Sequence, residues 1–492
     1  MTLASEVGAA LVRSTCVALF AAIVAQFLET FFARTVNPFR RMAWCLLLAP
    51  FLIPTLMVGY HYANVSARLM DEPWLRQLLY SALLCLKLTP IAVVLLYFVP
   101  RGLSEQAAHC LRLTQHGGSR SVVTAHGHRT RRSASLQFFL LELRTEISIW
   151  LLARGRATAT AFVLVFLFAF ADFELSSQLG TENWTVVVFD AHIGGITLAE
   201  SFRWIALPLL HQAALVGLLL VLLWSQKFDA PQSPSFSTRP RHAVGALSWS
   251  YLLLAFAVGA GIPLGSLAKG AAAGVPVLGE NTSFYKEITA GLIFAAGGAI
   301  AAYWLAGALT RRLNTKRSSA VWVAACVPGF AGALTLSLCV LALFQLPPLH
   351  YRFFDPIRLP WAFAWLLLPF AVLMRIALRV TRPASASRLA ELMRSGGGAL
   401  RARADEILWR LDRRKHYGAV ALLFCWAYYD LTASSLLAPA DMPTAMARLY
   451  NFTHYGRITG LSALILVTIA APVALAFVLA ALRSIWSRWR YV

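Results

Sequence analysis

Leu461-Ser462-Ala463-Leu464-Ile465-Leu466-Val467-Thr468-Ile469-Ala470-Ala471-Pro472-Val473-Ala474-Leu475-Ala476-Phe477-Val478-Leu479-Ala480-Ala481-Leu482 carries no charge between Arg457 and Arg483. At about 1.5 Å per residue, a helix of this length reaches across the roughly 30 Å hydrocarbon core of a bilayer. Comparable runs occupy 7–32, 42–62, 78–99, 157–178, 204–226, 245–264, 286–309, 319–345, 360–380 and 417–438, and this last one fills 458–482. The sequence therefore predicts an all-α polytopic membrane protein with about 11 transmembrane helices. Composition agrees: 59% of the 492 residues are apolar, 13% are charged and the mean hydropathy is +0.64. Soluble domains run at about 45–50% and about 25%. A soluble enzyme, a disordered regulator and a disulfide-stapled secreted domain are excluded. Seven cysteines lie scattered with no C-x-x-C pair, so they read as small core residues.

Charge sets the orientation. The net charge of +22 comes from bases held in alternate gaps between runs. These are 101–156, 227–241, 311–317, 382–415 and 483–490, the positive-inside pattern. It places the N-terminus outside and the C-terminus inside a cytoplasmic (inner) membrane. Nucleic-acid binding is set aside, because no aromatic-interleaved basic patch lies outside the runs. Trp74, Trp184, Trp361 and Trp486 sit at expected membrane borders as interface anchors. Pro50, Pro54, Pro90 and Pro328 fall inside runs, where each removes a backbone hydrogen bond and kinks a helix.

A motif recurs. Asp172-Phe173-Glu174-Leu175-Ser176-Ser177-Gln178-Leu179 is echoed by Asp430-Leu431-Thr432-Ala433-Ser434-Ser435-Leu436-Leu437, offset 430 − 172 = 258. Phe189-Asp190-Ala191-His192-Ile193-Gly194 is echoed by Tyr450-Asn451-Phe452-Thr453-His454-Tyr455-Gly456. Two echoes at one period predict two halves, 1–230 and 231–492, parallel and pseudo-symmetric about the membrane normal, with a shared path between them. Asp172, Glu174, Asp430, Thr432, Tyr450, Asn451 and His454 are the candidate path residues. An unpartnered carboxylate at a span end is expensive in lipid, and three acids would attract a cation. His192 and His454 stand in matching loops, but the 11 histidines form no H-x-x-x-H cluster, so no metal site is assigned.

Each half also puts one long basic loop inside, 101–156 and 382–416. Leu103, Ala107, Cys110 and Leu111 make one apolar stripe on a short helix, as do Ala386, Leu389, Ala390 and Met393. Such helices suit insertion into a groove of a soluble partner. The first loop carries an insertion whose Leu136, Phe139, Leu140, Leu143, Ile147, Trp150 and Leu151 share a face behind Arg129, Arg131 and Arg132, fitting an interfacial helix, while Phe138 and Leu141 off that face fit burial against protein.

At these residues the chain resembles the permeases of binding-protein-dependent ABC importers, in the fused branch associated with iron(III) and thiamine uptake. Pro100-Arg101-Gly102-Leu103-Ser104-Glu105-Gln106-Ala107-Ala108 resembles that family's E-A-A coupling loop, with Arg112 where the family has glycine. Arg388-Leu389-Ala390-Glu391 stands at the second loop, followed by Gly396-Gly397-Gly398. The resemblance implies that Pro100, Leu103, Glu105, Ala107, Ala108 and Leu111, with Leu389, Ala390, Glu391 and Met393, engage a cytoplasmic ABC ATPase dimer. It further implies a periplasmic substrate-binding protein and a cationic cargo of the iron(III) or thiamine kind. No G-x-x-x-x-G-K-[ST] string occurs, so the expectation is that the chain is not itself an enzyme, binds no cofactor, and draws on ATP used by its partner. Two alternatives stand beside this one. Intramembrane Lys87 and Arg375 would suit an ion-coupled secondary transporter. The Asp71-Glu72 pair would suit a membrane enzyme acting on a lipid-linked substrate, though no nucleophile or metal string accompanies it.

Overall fold

The computed structural model describes residues 3–35, 38–98, 110, 154–224, 242–280, 282–311, 318–347, 349–380, 384–454 and 460–489. The described residues form helices and no strand. Among them, seven helices are long and apolar enough to span a bilayer, and three sharply bent pairs raise the number to ten. The chain is a multi-pass helical membrane protein.

The first long helix, α1 (Leu3–Arg34), is followed by α2 (Phe39–Leu52) and α3 (Thr55–Arg68), bent by 73° to one another. The bend falls at Ile53-Pro54, where proline ends the α2 hydrogen-bond ladder. Helix α4 (Pro73–Phe98) passes through Pro90 unbroken. The expected span 157–178 is instead two pieces, α5 (Arg156–Phe170) and α6 (Glu174–Gln178), which is why the count falls below eleven. Helices α7 (Trp184–Ile193) and α8 (Leu198–Trp224) follow.

After residue 241 come α9 (His242–Phe256) and α10 (Ile262–Glu280), joined through a π turn at Ala257–Gly261. Then come α11 (Thr282–Arg311), and α12 (Ser318–Phe330) with α13 (Ala333–Phe344), a pair bent by 109°. Helix α14 (Asp355–Val380) precedes a hairpin of α15 (Ala384–Ser395) and α16 (Gly398–Tyr429). Helix α17 (Leu431–Leu437) turns off α16 by 59°, and α18 (Ala445–His454) and α19 (Leu461–Trp489) end the chain.

The packing of the early helices reappears later. Helices α1, α4 and α5 pack on one another, and so do α11, α14 and α16. Helix α3 lies on α6 as α13 lies on α17, and α7 lies on α8 as α18 lies on α19. Lipid tails are as apolar as leucine, so close backbone approach holds such bundles together. Fully buried alanines supply it: Ala18, Ala21 and Ala25 on α1, and Ala295, Ala299, Ala302 and Ala306 on α11. Helix α10 bridges the two sets, packing on α3 and α19. A Cβ at Gly274 would stand 2.8 Å from the Gly460 Cα.

One interface anchor needs correcting. Trp184 is wholly buried rather than at a membrane border, its Nε1 donating to the Phe170 carbonyl at 2.9 Å. It caps the broken end of α5. Trp74 and Trp361 are exposed, as border residues would be.

Candidate functional site

The breaks in α5–α6, α16–α17, α2–α3 and α12–α13 meet at one place. A helix break frees carbonyls and amides that lipid cannot satisfy, so each must find a partner in the protein. Asp172 and Asp430 each accept one such amide. The Ser176 amide donates to Asp172 Oδ2 at 3.2 Å, and the Ala433 amide donates to Asp430 Oδ1 at 2.7 Å. Asp430 is the N-cap of α17, the ordinary capping role of that residue, whereas Asp172 stands two residues before α6 and takes the amide of its third residue. The Asp172 carbonyl accepts from Asn183 Nδ2 at 2.6 Å and Thr185 Oγ1 at 2.7 Å. Asn183-Trp184-Thr185 is thus a plug for the α5 break. At the α12–α13 break, Gly332 has φ +86°, and a Cβ there would lie 2.6 Å from the Ala171 Cβ. Two breaks touch at that point, and only glycine fits.

The charges gather here. Glu174, on α6, reaches across to α17, where its Oε1 accepts the Leu431 amide at 2.7 Å. Lys87, in the middle of α4, donates to Thr55 Oγ1 and lies 3.5 Å from the freed carbonyl of Ile53. Thr55 in turn meets the Glu174 carboxylate. Lys87 acts electrostatically on both Glu174 and Asp172. Tyr80, wholly buried, donates to Asp172 Oδ2 at 2.8 Å and stacks its ring under the Arg13 guanidinium, 4.6 Å from the centroid. Lys87, Asp172 and Glu174 are half-buried, while Asp430 is buried.

An aromatic and hydroxyl layer adjoins the charges. Tyr450 and Ser177 share a hydrogen bond at 2.7 Å, and the Tyr450 ring packs against Phe173 and Phe189, each 6.1 Å away by centroid. Thr432 is buried beside Asp430. Asn451 is exposed on α18, away from the cluster's buried side chains. The side chain of His454 lies outside the described residues. Among the path residues read from sequence, Asp172, Glu174, Asp430, Thr432 and Tyr450 are therefore brought together. Among the described residues, no three His, Cys, Asp or Glu side chains are placed to hold one metal ion.

Lys87, Thr55, Tyr80 and Arg13 complete the cluster, and the path list lacked them. A signal existed for the lysine: Leu88-Thr89-Pro90-Ile91-Ala92-Val93 matches Leu367-Leu368-Pro369-Phe370-Ala371-Val372, offset 279. That register sets Lys87 opposite Leu366, a charge in one copy with none in the other. Arg375, the base named beside Lys87 in the sequence, is committed elsewhere. Its guanidinium covers the Tyr303 ring at 4.0 Å and its Nε donates to the Tyr303 carbonyl at 3.0 Å.

On the side that the charge pattern assigns to the cytoplasm, α15 folds back on α16. Ala390 and Met393 pack on Ala404 and Leu408, whereas Leu389 is 53% and Leu392 71% exposed. The apolar stripe read as one face is thus divided, half bound to α16 and half free. Glu391 is exposed. Pro100, Leu103, Glu105, Ala107, Ala108 and Leu111, and the insertion at 129–151, lie outside the described residues. No family model, no curated protein and no solved structure matches this chain.

Proposed function

We propose that this chain is the membrane subunit of a solute importer, worked from the cytoplasm by a separate ATPase dimer and supplied outside by a substrate-binding protein. One observation carries the proposal: the α15 prong is joined to the buried charge cluster by a single rigid rod. Helix α16 runs 32 residues without a break, and its far end is Asp430. At about 1.5 Å per residue, the rod is about 48 Å long. A push on Leu389 and Leu392 from a soluble partner is delivered at the junction of the helix breaks. A rigid helix ending at a bent joint supports alternating access by rocking of packed bundles. In this reading the halves 1–230 and 231–492 enclose the path, the membrane is the inner membrane with the N-terminus outside, and the chain has no catalysis of its own. A cationic cargo of the iron(III) or thiamine kind rests on the family resemblance.

The test uses Leu392→Glu with Leu389→Glu. Both side chains are exposed, so the unfolding temperature should stay unchanged. ATPase co-purification from the native membrane and ATP-dependent uptake into vesicles should both be lost. If no ATPase accompanies the wild-type chain, the reading fails. The Lys87 cluster favours a second reading, ion-coupled transport without an ATPase. Uptake driven by an ion gradient in ATP-free vesicles would support it.

A further inference from the structure

We propose that Phe51, Phe168, Phe370 and Trp426 are the inner gate of the path, an aromatic barrier about one helical turn to the cytoplasmic side of the charge cluster. The proposal rests on the reading of the chain as a transporter, but on neither its energy source nor its cargo.

Sequence position sets the four rings at one depth. Phe168 stands four residues before Asp172, and Trp426 four residues before Asp430. Helices α5 and α16 both start from the side assigned to the cytoplasm, so each ring lies about 6 Å below its aspartate. At offset 279 Phe370 matches Ile91, four residues past Lys87 on α4, which runs toward the cytoplasm. Phe51 comes two residues before Ile53, whose carbonyl Lys87 reaches.

The rings form one chain from helix to helix. Phe168 stacks on Phe370 at 5.1 Å, Phe370 lies against Trp426 at 3.8 Å, and Trp426 meets Phe51 edge-on at 5.0 Å, centroid to centroid. Phe51 and Phe168 belong to 1–230, Phe370 and Trp426 to 231–492, so two of these three contacts join the halves. Among the described residues, neither α5 with α14 nor α2 with α16 is a closely packed pair of helices, so the ring tips span the interval between them.

Exposure shows where the way closes. All four rings are half-buried, whereas Phe166 and Phe170, on other faces of α5, are buried. Leu422, Trp426 and Asp430 follow at four-residue steps along α16. Leu422 is 42% exposed, Trp426 is half-buried and Asp430 is 9% exposed. That face is open toward the cytoplasm and shuts at the ring. An apolar constriction excludes ions and polar solutes because nothing in it replaces their hydration. Trp426 rides on the α16 rod, so a tilt of the rod parts it from Phe51. Movement of the second half parts Phe370 from Phe168, while the Phe370–Trp426 contact travels intact.

The test places a thiol just beyond the barrier, Lys87→Cys in the full chain. Native membrane vesicles, inside-out and right-side-out, are labelled with the impermeant cation trimethylammonioethyl methanethiosulfonate. Mass spectrometry times the labelling of the peptide that carries residue 87. With the rings intact, reagent on the cytoplasmic face should react slowly. Adding Phe51→Ala and Trp426→Ala should raise that rate about tenfold, the upper worth of one aromatic pair, and leave the rate from outside unchanged. Trp426→Phe keeps a ring and should keep the rate slow. Phe32→Ala with Trp44→Ala removes another stacked pair, at 4.3 Å on α1 and α2, and should change neither rate. The proposal is overturned if cytoplasmic reagent reacts as fast with the rings intact as without them, or if the Phe32 and Trp44 pair raises the rate as much. Labelling needs no ATPase, so failure to find that partner and failure of the gate are separate results.

Discussion

Gly332→Ala is the sharpest probe of the contact between helix breaks. Two costs act at this residue. An alanine held at φ +86° and ψ 162° occupies a region that essentially only glycine adopts, at about 1–3 kcal/mol. Its Cβ would also stand 2.6 Å from the Ala171 Cβ, so the α12–α13 and α5–α6 breaks must part by about 1 Å. Overpacking of that order costs about 1–3 kcal/mol. The expected loss is about 2–6 kcal/mol. Gly180→Ala separates the two terms, because Gly180 has φ +60° but nothing within 4 Å of an added Cβ. It should lose only the conformational part. Thermal unfolding of both variants in detergent, scored against wild type, gives the comparison. Equal losses at Gly332 and Gly180 would refute the claim that the two breaks press on each other.

Two further outcomes follow from the same structure. Trp184→Phe keeps a ring in the wholly buried slot but leaves the Phe170 carbonyl without its donor, so unfolding should come about 1–3 kcal/mol earlier, with no such loss for Trp74→Phe at the exposed border. Glu29, 6% exposed on α1, pairs with Arg154 at 2.7 Å; Glu29→Gln alone should cost about 3–5 kcal/mol, and adding Arg154→Met should recover most of it in a double-mutant cycle.

The membrane-protein class was legible because hydropathy over about 20 residues is a sum that no local detail overturns. The bends were only half legible. Pro54 and Pro328 lie at or near two of them, yet Pro90 sits in an unbroken helix, since neighbouring helices decide whether a lost hydrogen bond becomes a kink. Asp172 looked like a span-end acid because its run stops there. Hydropathy cannot see that the chain breaks there and returns the Ser176 amide to that carboxylate, which divides the expected span 157–178 between α5 and α6. Trp184 misled for a related reason: an indole at the edge of an apolar run fits an interface equally well as a buried plug. Lys87 was visible as a charge in a run, but its meeting with Thr55 and Glu174 is a contact between distant segments that no spacing rule encodes.

The repeated motifs act as an internal control for which residues make the frame and which add chemistry. Asp172 and Asp430 occupy matching places and each accepts a backbone amide of the short helix that follows, from Ser176 four residues on and from Ala433 three residues on, so both copies use an aspartate in the frame. Glu174 and Lys87 have no such excuse. Their counterparts at offsets 258 and 279 are Thr432 and Leu366, which build an equally sound helix without burying charge. A lysine and a glutamate inside a membrane are costly; Glu174 accepts the Leu431 amide and Lys87 reaches the Ile53 carbonyl, yet the second copy is built without either charge at the matching positions. They are the part of the junction that function must explain. Restoring symmetry tests the point: Lys87→Leu together with Glu174→Thr removes one charge of each sign, as in the second copy. The double variant should still fold, unfolding earlier by about 1–3 kcal/mol at most, the cost of leaving the Leu431 amide without its Glu174 acceptor. Transport should nonetheless be lost. A stable double variant that still transports would show the buried pair to be incidental.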